Sequence, residues 1–266
     1  MKYWYDGQLF TEDKICLSID NPGLKFGATV FTTVRVYQQS LNHPLTQWKA
    51  HCHRLKSSLQ QFGWCLPNWQ KIAQGANYLI GTYPVLRITV FPDGKEWIIG
   101  RFLPENLVKL QQQGVKGWLA KDSLFQRSLQ AHKTGNYLGA YLALQKSKKL
   151  GFQEAILVNA EDNWLETTTG NLWGWKQGKW YTPALNSEIL PGIGRWQLIH
   201  WLGEQNIKVV ENQWTPYWVK SLEIVAYTNS VVEVIPFSSI DCQGELLNFD
   251  IFGEALDILY QYYDHR

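Results

Sequence analysis

The chain has 266 residues, 45% of them hydrophobic, which is material for one large globular unit or two modest domains and excludes a largely disordered protein. Its 25 Lys and Arg against 23 Asp and Glu leave a net charge of +2, dispersed along the chain, so there is no electrostatic footprint for nucleic acid and small-molecule work is the better expectation. No apolar run approaches the ~18 residues of a membrane helix, Met1 to Gly7 lacks an apolar signal region, and Cys16, Cys52, Cys65 and Cys242 show no metal-like CxxC spacing. A soluble cytoplasmic protein with free thiols, no membrane partner and no metal is expected.

In chain order, the β-branched and aromatic run Thr29 to Tyr37 predicts a strand. From Thr46 to Phe62, Trp48, Leu55, Leu59 and Phe62 recur at helical spacing and Gly63 offers a stop; Asn68 to Tyr83 predicts a second, weaker helix. Val85 to Phe91 and Glu96 to Arg101 form a hairpin across the turn Pro92-Asp93-Gly94-Lys95. The polar, aperiodic stretch from Leu103 to Gly114 reads as an interdomain connection, dividing a smaller domain, 1–108, from a larger one, 109–266. Asn136 to Leu150 predicts a helix with lysines toward its end, where cations suit the dipole. A short buried strand Ala155 to Val158, a strand pair 172–176 and 179–182, a helix Ile193 to Glu204, strands 223–228 and 231–236, and an amphipathic helix 249–260 complete the pattern. The 14 tryptophans fall in different elements, which predicts packing in cores and interfaces rather than a stacking surface for sugars or bases.

Three short stretches carry chemistry. Lys133 lies between His132 and a predicted helix, at a junction from which an amine can project into a cleft; a desolvated lysine can form a Schiff base and then carry a proton. Taken alone it is more often a solvated surface residue. Glu166, ahead of three threonines and Asn171, can pair with a protonated pyridine nitrogen and so strengthen an electron sink; otherwise it is a turn acid. Gly192-Ile193-Gly194 opens a predicted helix, whose free N–H groups and dipole favour a phosphate. Arg54 and the Asn229-Ser230 turn can add charge and donors to the same anion, each with an ordinary surface or turn role as the alternative. His51-Cys52-His53 looks metal-like, but on a helix residues two apart point to different faces, so these imidazoles would not converge.

Together these residues resemble the fold-type IV pyridoxal-phosphate enzymes: branched-chain aminotransferases, D-amino acid aminotransferases and 4-amino-4-deoxychorismate lyases. Phe26-Gly27 through Arg35 looks like that family's FGxxxF-T/E-x-x-R strand, and His51-Cys52-His53-Arg54-Leu55 matches its HxxRL helix. Lys133 with Asn136-Tyr137, Glu166 with Asn171, Thr182-Pro183, Leu190-Pro191-Gly192-Ile193 and Asn229-Ser230 follow in the family's order over nearly the whole chain. The resemblance implies a two-domain α/β (α+β) fold, a homodimer, and pyridoxal 5'-phosphate between the domains. It makes Lys133 the Schiff-base lysine and sets Glu166 on the pyridinium nitrogen, Tyr137 near the ring hydroxyl and Leu190 on the ring. Arg54, the backbone of Ile193 and Gly194, and Asn229 with Ser230 would hold the phosphate.

Within that family, Phe31-Thr32-Thr33 and the asparagine three positions after Lys133 look most like the lyases, where Thr33 is a candidate to orient substrate; branched-chain aminotransferases typically carry glutamate where Thr32 stands. The implied reaction is elimination of pyruvate from 4-amino-4-deoxychorismate, leaving p-aminobenzoate for folate biosynthesis. A class IV aminotransferase acting on D-amino or branched-chain amino acids is the alternative, and a non-catalytic cofactor-binding relative a third reading. The turn Pro92 to Lys95 is shorter than the loop with which many relatives receive substrate carboxylates, so Lys95, Arg87 or a partner subunit's residue would have to serve.

Overall fold

The computed structural model describes residues 2–186 and 188–264, and the chain divides into two compact units. The first runs to Pro104 and takes in His132–Asn136; the second comprises Glu105–Ala131 and the chain from Tyr137 onward.

The first unit is a five-stranded antiparallel sheet with two long helices on one face. Its strands are β1 (Tyr3–Tyr5), β2 (Gln8–Phe10), β3 (Val30–Arg35), β4 (Val85–Val90) and β5 (Glu96–Arg101), in the order β2-β1-β5-β4-β3. Before β3 lies a short helix, α1 (Pro22–Phe26), so the Phe26-Gly27 start of the family-like stretch is a helix end, and the strand expected over Thr29 to Tyr37 spans Val30–Arg35. The sheet obeys the two-residue alternation of a pleated strand. Val30, Val34, Leu86, Ile88, Val90 and Ile98 share one face and are buried with Leu55, Leu59, Ile72, Ala76 and Leu79 of α2 (Trp48–Gln61) and α3 (Trp69–Ile80). Among them lies Trp4, whose indole N–H donates 2.9 Å to Glu96, which explains how a carboxylate tolerates near-complete burial. Residues 132–136 add a further extended edge: Phe31 donates its N–H to the Lys133 carbonyl at 2.8 Å, Gly135 to the Thr29 carbonyl at 2.7 Å, and Thr134 bridges antiparallel to Val30.

In the second unit, the stretch read as a connection contains α4 (Leu107–Gln113). It is held by specific polar contacts rather than by an apolar stripe, since Gln111 donates to the Val232 carbonyl and its own carbonyl accepts from Tyr260; hydrophobic periodicity therefore gave no sign of it. Nine strands follow: β6 (Val115–Ala120), β7 (Glu154–Val158), β8 (Trp164–Thr167), β9 (Asn171–Lys176), β10 (Lys179–Pro183), β11 (Val209–Asn212), β12 (Ile224–Asn229), β13 (Glu233–Cys242) and β14 (Glu245–Asn248). They run in the order β11-β10-β9-β12-β13-β6-β7-β8, with β14 on β13, and β8 pairs back onto β9 through Glu166 and Asn171. That pairing closes β9, β12, β13, β6, β7 and β8 into a ring, and the two residues that close it are among the candidates read from the sequence.

The helices of this unit are α5 (Leu138–Lys149), α6 (Ile193–Glu204), the short α7 (Pro216–Val219) and α8 (Glu254–Asp264), which starts five residues later than its apolar pattern suggests. Trp164, Trp173, Trp180 and Trp214 are fully buried, and Trp173 and Trp180 meet edge to face at 6.1 Å. These four tryptophans are core residues, as their scatter along the sequence implies.

Candidate active site

In the first unit, Lys133 sits on the added edge opposite Phe31, and its Nζ lies 4.8 Å from the centre of that ring. The segment is anchored by its neighbour His132, whose Nδ1 is 2.9 Å from Ser58 of α2 and whose ring packs at 4.7 Å on Phe62. Register places Phe31, Thr33, Arg35, Val85, Arg87, Thr89, Trp97, Ile99 and Arg101 on the sheet face away from the helices. Thr33 lies directly opposite Arg87, and the Arg87 guanidinium stands 3.6 Å from the centre of the Phe31 ring. Lys133 and Arg87 therefore share one aromatic neighbour, on a face to which β3, β4 and β5 contribute nine residues, three of them arginines and none an acid. Lys95, the other cation considered for substrate, lies 3.2 Å from Asp93, which raises its pKa.

On the helix side of the same sheet, Arg54 donates from Nη2 to the Thr32 hydroxyl at 2.9 Å, and that hydroxyl lies 2.6 Å from His51 Nδ1. His51 and Thr32 are buried whereas His53 is exposed, so the two imidazoles diverge as helical geometry requires. Burial, then the positive charges of Arg54 and Lys133, push His51 well below its ordinary pKa and keep it neutral.

In the second unit, Glu166 is the penultimate residue of β8 and is buried. One of its carboxylate oxygens pairs with Arg127 and the other accepts the Leu190 backbone N–H at 3.1 Å. Asn171, across the β8–β9 junction, donates 2.9 Å to the Leu190 carbonyl, so Leu190 is fixed through both of its peptide groups. Arg127 donates also to the Gln130 carbonyl and lies 4.9 Å from the centre of the Tyr137 ring. Sequence reading missed Arg127, because a single arginine in an irregular stretch carries no periodic or motif signal; only its burial opposite a carboxylate marks it. The turn after Glu166 is supported from beneath by Glu154, which accepts from the Thr168 and Thr169 hydroxyls.

The phosphate candidates cluster at the start of α6. Its N-cap, Gly192, has no side chain to cap it, so the first N–H groups suit an external acceptor. Gly192, the N-cap, has no room for a side chain, since a Cβ there would run into the Asn171 amide oxygen. At Gly194 a Cβ would sit 3.5 Å from the Asn229 backbone, so the missing side chain leaves a small cradle between the helix start and the 229–230 turn. The Asn229 amide oxygen accepts from Val231 and Val232 at 2.8 and 3.0 Å, which commits it to shaping the turn; Ser230 follows it in that turn. Within the second unit, the start of α6, the cradle opened by Gly194 and a carboxylate paired with Arg127 fit a phosphorylated pyridine. The first unit, by itself, carries the Lys133 amine and an arginine held by Thr32.

The model of the amino-transferase class IV family matches residues 29–240. The chain is 23% identical over 265 residues to an aminodeoxychorismate lyase of Vibrio harveyi, covering 94% of this chain and 95% of that protein. It is 26% identical to a branched-chain-amino-acid aminotransferase of Pseudomonas aeruginosa (90% of this chain, 84% of the relative) and 27% identical to a D-alanine aminotransferase of Bacillus licheniformis (91% and 89%). Among solved structures, a branched-chain aminotransferase from Thermoproteus uzoniensis superposes with a TM-score of 0.83 at 22% identity, covering 99% of this chain and 93% of the other. A putative 4-amino-4-deoxychorismate lyase from Legionella pneumophila gives 0.80 at 21% identity, covering 95% and 96%. The protein thus belongs to the class IV aminotransferase family of pyridoxal-phosphate enzymes, with the fold-type IV architecture.

Proposed function

We propose that this protein is a 4-amino-4-deoxychorismate lyase that uses Lys133, Arg54, Tyr137, Glu166, Leu190, Ile193, Gly194, Asn229 and Ser230 on pyridoxal 5'-phosphate and works as a homodimer. The observation that carries the reading is the cationic sheet face around Lys133: Arg87 and Thr33 stand beside it, with no acid among the nine residues that β3, β4 and β5 contribute. A substrate with two carboxylates and a ring amine suits such a face, whereas a branched-chain amino acid with one carboxylate and an apolar side chain uses little of it. The full-length likeness to a lyase supports it further.

The cofactor, when bound, supplies an electron sink for the carbon next to the substrate's amine. Glu166, paired with Arg127, would accept a hydrogen bond from the ring nitrogen and so favour its protonated form. Tyr137 and Leu190 would border the ring. The α6 start and Arg54 would hold the phosphate. Lys133 Nζ takes the proton from the carbon bearing the amine and Thr33 with Arg87 orients the substrate carboxylates. The C–O bond to the enolpyruvyl group then breaks, the ring becomes aromatic, and the enol takes up a proton at its methylene carbon to leave as pyruvate. The atoms of the substrate are those of the two products, so no 2-oxo acid is consumed.

The aminotransferase alternative draws on relatives of slightly higher identity. In it Lys133 would take the same proton from the carbon bearing the amine, and no group would leave the substrate carbon skeleton. Holoenzyme given 4-amino-4-deoxychorismate without any 2-oxo acid should release pyruvate and p-aminobenzoate in equal amounts, read by lactate dehydrogenase coupling and by absorbance. No pyruvate from that substrate, together with conversion of the cofactor to its amine form by D-alanine or a branched-chain amino acid, would replace the lyase by the aminotransferase.

A further inference from the structure

We infer that Thr32 and His51 are positioning residues for Arg54, forming a neutral chain of hydrogen bonds that aims its guanidinium at the cofactor's phosphate; this rests on the cofactor reading above. The direction of the chain follows from the donor inventory. Arginine only donates, so Arg54 Nη2 gives its proton to Thr32 Oγ1, and the Thr32 hydroxyl proton is then free to go to His51 Nδ1. His51 must therefore present a bare Nδ1 and carry its proton on Nε2.

The alternative protonation states fail on the same geometry. With a proton on Nδ1, Thr32 Oγ1 would be an acceptor toward both neighbours and its own hydrogen, in a site from which Thr32 and His51 are shielded from water at 0% and 1% exposure, would lose its partner. A doubly protonated His51 would add a third positive charge beside Arg54 and Lys133. The Thr32 side chain is thereby locked by two partners on α2, and it locks Arg54 in return, 22 residues away in sequence. A long arginine side chain otherwise loses considerable rotamer freedom on meeting an anion; one already held at Nη2 has lost that freedom on folding. The three residues sit on the helix side of the sheet, whereas Thr33 and Arg87, the residues proposed to meet the substrate carboxylates, lie on its other face, so the chain is separate from those substrate contacts.

The test separates positioning from structural support by comparing two ligands that differ only in the phosphate. Fluorescence titration of the cofactor-stripped full chain gives dissociation constants for pyridoxal 5'-phosphate and for pyridoxal. Thr32→Val should weaken the phosphate-bearing ligand roughly tenfold, the loss of about one hydrogen bond's net contribution, while pyridoxal affinity stays at the wild-type value and Thr32→Ser retains both. Equal losses for the two ligands, or no loss for either, would overturn the inference. Should Thr32→Val fail to fold, nitrogen-15 NMR of His51 in the wild-type holoprotein decides: the Nε2–H tautomer with bare Nδ1 is expected, and an Nδ1–H or doubly protonated ring overturns the inference. If the wild-type chain binds neither ligand, it is the cofactor reading that fails, and the NMR result still stands or falls independently.

Discussion

Replacing Arg127 with methionine tests its buried pairing with Glu166. The two side chains are 3% and 5% exposed, so removing the guanidinium strands a carboxylate that water cannot reach. Breaking a buried ion pair from one side costs about 3–5 kcal/mol. At ~2–4 °C per kcal/mol for a unit of 150–250 residues, the melting temperature should fall by about 6–20 °C. Part of that loss comes from the Gln130 carbonyl, which Arg127 also holds. Glu166→Gln alone should cost a similar amount, because it leaves a buried guanidinium. The double variant Arg127→Met with Glu166→Gln removes both charges together and should recover much of the loss, since a buried pair is often replaceable by neutral groups at little cost. Thermal unfolding of the four proteins without added cofactor, followed by circular dichroism, completes the cycle. Arg127→Met melting within about 2 °C of wild type, or a double variant as damaged as both singles added, would refute the account of the pair.

Three further outcomes follow from the same geometry. His51, depressed well below 6.5 in the folded chain, binds fewer protons folded than unfolded, so its stabilisation is complete above 6.5 and is lost as pH falls through 6.5 toward the folded value. The wild type should therefore lose more melting temperature between about pH 7.5 and about pH 5.5 than His51→Gln does; equal losses would mean that His51 is not held neutral. Glu154 is raised above 4.5, chiefly by burial, so its ionisation costs stability as pH rises through 4.5 to its folded value and the cost persists above it. Glu154→Gln should be nearly free of that cost at neutral pH while keeping a partner for the Thr168 and Thr169 hydroxyls, and a large destabilisation at neutral pH would contradict the direction of the shift. Gly192→Ala drives a methyl into the Asn171 amide and should break its bond to the Leu190 carbonyl, costing about 1–3 kcal/mol by urea unfolding; an unchanged midpoint would show that the N-cap has room.

Much of this architecture was legible from spacing. Helix α2 and the hairpin of β4 and β5 follow from apolar periodicity and turn residues, because each buries one clear face. Helix α5 is bounded by Gly151, and α6 is marked by its glycine-bracketed start rather than by a stripe, since it buries Arg195 and Gln197 beside Leu198 and Leu202. What escaped has physical reasons. Strands β1 and β2 are three residues each, too short for a period to register. Helix α4 is held by Gln111 and Tyr260 rather than by a stripe. The candidate site divides the same way: Lys133, Glu166, Arg54 and Gly192 lie in motifs, while Arg127 and the Thr32–His51 chain depend on contacts between residues far apart in sequence. The histidine at 51 read as a failed metal ligand; its inward face is occupied instead by the Thr32 hydroxyl. The short turn at Pro92 to Lys95 raised a choice between Lys95 and Arg87, and the engagement of Lys95 by Asp93 against the stacking of Arg87 on Phe31, beside Lys133, favours Arg87.

The most direct measurement of the central claim is chemical. Holoprotein loaded with pyridoxal 5'-phosphate, reduced with borohydride, digested and read by mass spectrometry should carry the phosphopyridoxyl group on Lys133 alone, in the peptide that His132 anchors to Ser58 and Phe62. A label on another lysine, or none at all with Lys133 intact, would contradict the assignment of this chain's reactive amine.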